Sequence, residues 1–222
     1  MAIKPILVGD TEMVRAILHG RKTCKRRLVK FLPGENPQWT GYIKDGLMLY
    51  NGRNEPCIRN APYQPGDILY VRETFAWGPC WDCGLDTEQG GCRHQTDRIY
   101  KKEYGCYMYR ASCEDNEYPS ADTWHPPIHM PKEAARIWLK VTDVRVERLQ
   151  EISEDGAKAE GANFKNGKNV GFEEKMNRTA IERFAEIWNS TIKKADLDRY
   201  DWDANPWVLV IEFERCEKPE GV

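Results

Sequence analysis

The sequence predicts an α+β protein, built as a small mixed β-barrel with helices at its periphery. Strand-like apolar runs are spread along the whole chain, and only two or three modest helical patterns separate them. The regular βαβα alternation that would indicate a doubly wound parallel sheet is therefore missing. The sequence has no repeat and no linker, so we expect one domain over residues 1–222 with a polar, Cys-rich insertion at about 78–125.

The composition indicates a folded, cytoplasmic protein. Hydrophobic residues make up 41% of the 222 residues and aromatic residues 11%, whereas chains that stay unfolded are poor in both. No apolar run approaches the roughly 20 residues that span a bilayer, and the first residues lack the apolar stretch of a secretory signal. We therefore expect no membrane partner. Because the net charge is only −2, any site for a polyanion must be a local patch.

Local patterns place the secondary structure. Seven runs predict strands, at residues 4–8, 21–30, 47–50, 68–71, 107–110, 136–149 and 206–213. Apolar residues at helical spacing predict a short first helix around residues 13–18. Ser153 is a suitable N-cap for a second helix that reaches Glu160. Thr179 and Glu182 have the spacing of a capping box at the start of a third helix.

The basic run at residues 21–30 is the strongest feature, because six of its ten residues are Lys or Arg. In a strand, alternate side chains lie on opposite faces. One face would carry Lys22, Cys24 and Arg26, and the other Thr23, Lys25 and Arg27. Two interpretations remain open. The charges discourage strand addition at a sheet edge, or they form a surface beside a cleft that binds phosphates or nucleotides.

Short motifs follow one another in a characteristic order: Gly20-Arg21-Lys22-Thr23, Pro65-Gly66-Asp67-Ile68-Leu69, Glu154 to Glu160, and a final Trp-Val-Leu-Val-Ile-Glu-Phe strand. In this order they resemble the ASCH domain, a family of the PUA-like β-barrel superfamily. Three further motifs are similar to the long ASCH proteins encoded by phages and prophages: Val71-Arg72-Glu73-Thr74, His129 to Arg136, and Asn205-Pro206-Trp207. The resemblance covers most of the chain except the Cys-rich insertion.

The resemblance implies a PUA-like barrel with a cleft for RNA or for a nucleoside or nucleotide. Some small members of the family hydrolyse the acetyl amide of acetylcytidine with a Lys, a Thr nucleophile and a Glu. The Lys and Glu correspond to Lys22 and Glu160, but Lys25 occupies the Thr position, where a protonated amine cannot replace an activated hydroxyl. Lys22 and Glu160 are the candidate catalytic residues, and the residues expected at the binding cleft are Arg21, Thr23, Lys25, Arg26, Arg72, Glu73 and Trp77.

Each of these residues also has a structural interpretation. Lys22 and Glu160 could form an acid–base pair across a dry cleft, or a plain surface ion pair worth about 0–1 kcal/mol. Arg72 and Glu73 could form a structural pair or part of the cleft floor. Trp77 could stack on a base, although most of the eight Trp residues are expected in the core.

The insertion contains a candidate zinc site. Cys80-x2-Cys83 is followed by Cys92-x-His94, which offers four thiolate and imidazole ligands within 15 residues. Cys106 is the alternative fourth ligand if His94 points away. A structural zinc would cross-link a segment that has little apolar material of its own. The spacing matches no common zinc motif, so free thiols are the competing interpretation.

Three functions follow from these observations. The first is binding of RNA or a modified nucleoside or nucleotide in the cleft. The second is hydrolysis of a nucleobase amide or of RNA, with Lys22 and Glu160 as the acid–base pair. The third is an interaction or assembly protein of a phage that has no small ligand. The sequence does not predict an oligomeric state.

Overall fold

The computed structural model describes residues 2–29, 31, 42–44, 48–50, 62–78, 106–113, 124–162 and 178–221. The strands in these residues are β1 Ile3–Leu7, β2 Cys24–Leu28, β3 Tyr42–Lys44, β4 Met48–Tyr50, β5 Ile68–Arg72, β6 Phe75–Gly78, β7 Cys106–Tyr109, β8 Trp138–Arg148 and β9 Trp207–Cys216. The α-helices are α1 Thr11–Leu18, α2 Glu154–Ala159, α3 Ala180–Thr191 and α4 Leu197–Tyr200. All seven predicted strands and all three predicted helices have a counterpart, whereas β3, β6 and α4 were not predicted.

A mixed five-stranded sheet has the strand order β1-β5-β8-β9-β2. β1 pairs with β5 in parallel, with Ile3 opposite Ile68, and β2 pairs with β9 antiparallel, with Cys24 opposite Glu212. Two further sheets have two antiparallel strands each, β3 with β4 and β6 with β7. The predicted α+β class is therefore confirmed. The described strands do not close into a barrel, since β1 and β2 end the strand order.

The chain divides into two compact units. The first takes the described residues of Met1–Ala2, His19–Asp67 and Lys140–Glu214, and the second those of Ile3–Leu18, Ile68–Leu139 and Arg215–Val222. Both units use residues from distant parts of the sequence. This division does not test the prediction of a single domain over residues 1–222, which remains a prediction.

The core of the first unit lies between β9 and the helices α2 and α3. Phe184 and Trp188 of α3 pack with Val208 and Val210 of β9 and with Ala157 of α2. All five side chains are buried, with exposed fractions of 6% or less. This packing fixes the end of α2 beside β2, where the charged residues of the site lie.

Side-chain caps fix the first residues of α2 and α3, as predicted. The Ser153 hydroxyl accepts a hydrogen bond from the Gly156 amide at 3.1 Å, which begins α2. Thr179 and Glu182 form the reciprocal capping box of α3, with distances of 3.1 and 2.9 Å. The Glu154 carboxylate also accepts from the first amide of α3 at 2.9 Å, so α2 and α3 are joined at their N-terminal ends.

The second unit has its own core, formed around Ile68, Tyr70, Phe75, Met130 and Trp138. β6 and β7 pair with Phe75 opposite Tyr109. The strand predicted at residues 107–110 is confirmed as β7, except that Arg110 begins the 3-10 segment Arg110–Ser112. The insertion predicted at about 78–125 therefore begins at Gly78, the last residue of β6, and contains β7, the strand that pairs with β6.

Candidate functional site

Lys22 and Glu160 lie together in the first unit. Lys22 precedes β2, and Glu160 is the residue that caps the C-terminal end of α2. The Lys22 Nζ donates to Oε2 of Glu160 at 2.6 Å and to its backbone oxygen at 2.7 Å. A further hydrogen bond from the Thr23 amide to the oxygen of Ala159, at 2.8 Å, fixes the two segments against each other. An ammonium that binds the last carbonyls of a helix is favoured by the helix dipole.

Arg26 completes a buried cluster of charges. Its backbone amide donates to Oε1 of Glu160, and its Nη1 lies 3.5 Å from the same oxygen. Its Nε and Nη2 donate to Oε1 of Glu147 in β8, at 2.9 and 2.7 Å. Two cations thus face two carboxylates, Lys22 with Glu160 and Arg26 with Glu147. The exposed fractions of Lys22, Arg26 and Glu160 are only 4–6%, so most of this charge has been removed from water.

The predicted alternation along the basic strand is confirmed. Lys22, Cys24 and Arg26 are buried, whereas Thr23 and Arg27 are exposed and Lys25 is half-buried. Arg21 is also half-buried. Glu160 lies at the outer edge of β2, because the amide of Arg26 that it accepts points away from β9. This contact shields part of the strand edge.

The thiol of Cys24 is buried in this cluster and is poorly suited to act as a nucleophile. It donates to the oxygen of Gly156 at 3.9 Å and accepts from Nη1 of Arg26 at 3.6 Å. Burial, and then the negative charge of Glu160, raise the pKa of the Cys24 thiol to about 12. Since the thiolate is the nucleophilic form, this thiol is inert at neutral pH.

Lys25 lies on the face of the strand opposite to this cluster. Burial, and then the positive charges of Lys22 and Arg27, lower the pKa of its amine to about 8, and the negative charge of Glu160 opposes the shift. Its strand partner in β9, Ile211, is fully buried. A substantial fraction of Lys25 is therefore a neutral amine near pH 8.

Sequence reasoning missed the acidic partners and the arginine that links them. Arg145 in β8 binds Glu147 at 3.3 Å, Asp143 at 2.9 Å and Glu212 of β9 at 2.5 Å. The side-chain hydrogen bonds of Glu212 and Asp143 raise the pKa of Arg145 in spite of its partial burial. The alternation of Asp143, Arg145 and Glu147 along one face of a predicted strand was the signal that could have indicated them.

Arg72 and Glu73 belong to the second unit. The Glu73 side chain is 1% exposed, and both of its oxygens accept from Arg136, at 2.9 Å each. Arg136 also stacks over the ring of Tyr109, with 4.1 Å to the centroid. Nη1 of Arg72 donates to the oxygen of Ile128 at 3.1 Å. Of the two interpretations of Glu73, this geometry favours the structural one, with Arg136 and not Arg72 as its partner.

The remaining predicted residues are placed only in part. Trp77 lies in β6 and Cys106 in β7. Cys80, Cys83, Cys92 and His94 lie outside the described residues, so the zinc site stays a prediction. Among the residues that the structure does describe, no three His, Cys, Asp or Glu side chains are grouped as a metal site would need.

Comparisons with known proteins add no relative. No protein-family model, curated protein or solved structure matches the chain. Within the described ranges, none of the helices has the length and apolar character required to cross a membrane.

Proposed function

We propose that the chain is an ASCH-type, PUA-like protein that binds RNA or a modified nucleoside or nucleotide at the Lys22–Glu160 site. One observation carries the proposal. Two oppositely charged side chains, 138 residues apart in the sequence and both implied by the family resemblance, are in contact at 2.6 Å in a buried position.

The energetics support a functional interpretation of this pair. Removing two charges from water costs several kcal/mol per ion, and a pair of apolar residues of similar volume is often as stable or more stable. A buried ion pair is therefore weak evidence for stability. Clusters of buried charges with shifted pKa values are more frequent at functional sites, and Cys24 and Lys25 on either face of the strand have such values.

The distribution of hydrogen bonds supports a role in binding. Two of the three N–H donors of Lys22 are used by Glu160, and the third has no partner within the described part of the chain. Arg21 adjoins Lys22 in the sequence and Lys25 lies on the other face of the strand, and both keep partial access to solvent. Together they provide donors and positive charge for a phosphate or for the polar edge of a base.

Binding of a short single-stranded RNA, followed by fluorescence anisotropy at several salt concentrations, tests the proposal. We expect affinity to fall steeply with salt, because each phosphate contact releases counterions. Replacing Arg21 and Lys25 by Met should reduce the slope of log affinity against log salt by about 1–2. The matched control is Lys140→Met, which removes an exposed charge of β8. Absence of binding by the wild type would favour the assembly protein instead.

Hydrolysis of a nucleobase amide or of RNA is the second candidate, favoured by the direct contact between an ammonium and a carboxylate. Glu160 could accept a proton while Lys22 stabilises a developing oxyanion. Incubation of the protein with acetylcytidine and with RNA, comparing wild type with Lys22→Arg and Glu160→Gln, tests this reaction. An activity that is indifferent to both substitutions would exclude the site as its source.

A further inference from the structure

Glu147 lies between two arginines and has one carboxylate oxygen for each. Its Oε1 accepts from Nε and Nη2 of Arg26, at 2.9 and 2.7 Å. Its Oε2 accepts from Nε of Arg145, at 3.3 Å. The side chain of Arg26 is buried, whereas that of Arg145 is 36% exposed. The orientation of this carboxylate is therefore fixed from two sides, by a buried guanidinium and by one that reaches solvent.

Arg26 contacts two carboxylates, but its guanidinium meets them unequally. The edge formed by Nε and Nη2 is used by Glu147, and only Nη1 faces Glu160, at 3.5 Å from Oε1. That distance is near the outer limit of a hydrogen bond, whereas a guanidinium that directs two N–H groups at one carboxylate is bound far more strongly. Oε2 of Glu160 is left to Lys22, whose Nζ lies 2.6 Å from it.

We propose that Glu147 is a positioning residue of the proposed binding site. By holding the guanidinium of Arg26, it keeps Lys22 as the ammonium partner of Glu160. A buried charge without a partner is costly, so an Arg26 released by Glu147 would turn its pair of N–H groups towards Glu160. An ammonium is a point charge and cannot match that bidentate geometry, so Lys22 would lose the carboxylate.

This pairing decides what the site offers to a ligand, and in that respect the inference rests on the proposed function. Held by the carboxylate and the backbone oxygen of Glu160, the ammonium of Lys22 has a fixed direction for its third N–H donor. With the backbone oxygen as its remaining partner, the ammonium would no longer be held in one orientation. Glu147 thus acts on the ligand-binding donor through Arg26 and Glu160.

Trace labelling of the full chain with acetic anhydride at pH 7.5 tests the inference. Lysine-containing peptides are quantified by mass spectrometry, with the exposed Lys140 as the internal reference. In the wild type we expect Lys22 to react at least about tenfold more slowly than Lys140, because charge-assisted hydrogen bonds hold its amine. In Glu147→Gln, which keeps the shape and removes the charge, Lys22 should react at least about fivefold faster than in the wild type.

Further variants separate displacement by Arg26 from a general loosening of the structure. When Arg26→Gln is combined with Glu147→Gln, the competing guanidinium is absent, and labelling of Lys22 should return to within about twofold of the wild type. Arg136→Lys, which changes an ion pair of the second unit, should leave this labelling unchanged. Arg145→Met removes the outer of the two arginines that hold Glu147 and should increase labelling of Lys22 about twofold, which keeps the test decisive if Glu147→Gln does not fold.

Slow labelling of Lys22 in Glu147→Gln would overturn the inference, as would fast labelling that persists in the double variant. For a folded Glu147→Gln, RNA affinity is a separate readout, with Glu212→Gln as the matched control because it also removes a negative charge beside Arg145. We expect Glu147→Gln to bind about three- to tenfold more weakly than Glu212→Gln, and equal affinities would overturn the role in binding. Absence of RNA binding by the wild type would refute the proposed function, and the labelling would still decide whether Glu147 sets the partner of Glu160.

Discussion

The ammonium of Lys22 lies 2.6 Å from a carboxylate oxygen of Glu160, and both side chains are at least 94% buried. The first prediction concerns this pair. Removal of one partner leaves an uncompensated buried charge, so Lys22→Met and Glu160→Gln should each lower the free energy of unfolding by about 3–5 kcal/mol. The double variant should lose much less free energy of unfolding than the two single variants lose together. Urea unfolding followed by circular dichroism measures all three.

An exposed pair in the same unit provides the control. Lys158 and Asp155 are 3.0 Å apart, with side chains 54% and 93% exposed. Lys158→Met should change the free energy of unfolding by less than about 1 kcal/mol, because solvent screens this pair. If the Lys22 and Glu160 variants were as mild as Lys158→Met, the pair would not be buried in solution.

The second prediction concerns Gly156 in α2. Replacing a helical glycine by alanine ordinarily stabilises a protein by about 1 kcal/mol. Here a Cβ would lie 3.2 Å from Ile152, 3.3 Å from Nη2 of Arg26 and 3.3 Å from the Ser153 hydroxyl. Arg26 is held by Glu147 and cannot move freely. We therefore expect Gly156→Ala to destabilise by about 1–3 kcal/mol, measured by thermal unfolding. A stabilised variant would show that Arg26 has room to shift.

The local features of the site could be predicted because each depends on residues close in sequence. Alternation along β2 placed Lys22, Cys24 and Arg26 on one face, and the hydroxyl of Ser153 indicated where α2 begins. The contact between Lys22 and Glu160 came from the family resemblance, since no local spacing relates residues 138 positions apart.

The partners of the other charges could not be predicted for the same reason. Which carboxylate neutralises Arg26 depends on β8 lying two strands away from β2 in the sheet order. Glu73 is an example. The sequence left open a structural pair with its neighbour Arg72 or a place in the cleft floor, and adjacent side chains in an extended segment point apart. Arg136, 63 residues later, binds it instead.

The third prediction tests the structural role of Glu73. The fork of Arg136 meets both carboxylate oxygens, a geometry that the single ammonium of lysine cannot reproduce. Arg136→Lys should therefore lower the free energy of unfolding by about 2 kcal/mol or more, and Arg136→Met should cost more still. Chemical unfolding of both variants measures the effect. The assignment would be wrong if Arg136→Lys retained the stability of the wild type.

The fourth prediction concerns thiol reactivity. The pKa of the buried Cys24 thiol is raised to about 12, so almost no thiolate exists at pH 8. Cys113 and Cys216 are partly exposed. Iodoacetamide should alkylate Cys24 at least about tenfold more slowly than either, as followed by mass spectrometry over time. Urea should remove the difference. Rapid alkylation of Cys24 in the native protein would contradict the burial of this face of β2.

The fifth prediction is a pH dependence of RNA affinity that originates at Lys25. Burial, with Lys22 and Arg27, lowers the pKa of this amine to about 8, so its charge is complete well below pH 8 and lost above it. A phosphate favours the charged form, and affinity should therefore fall about three- to tenfold between pH 7 and pH 9.5. Fluorescence anisotropy at constant salt measures this. Lys25→Arg, which stays charged, should abolish the decrease, whereas Lys25→Met should bind weakly at every pH. A decrease that persists in both variants would assign the titration to another group.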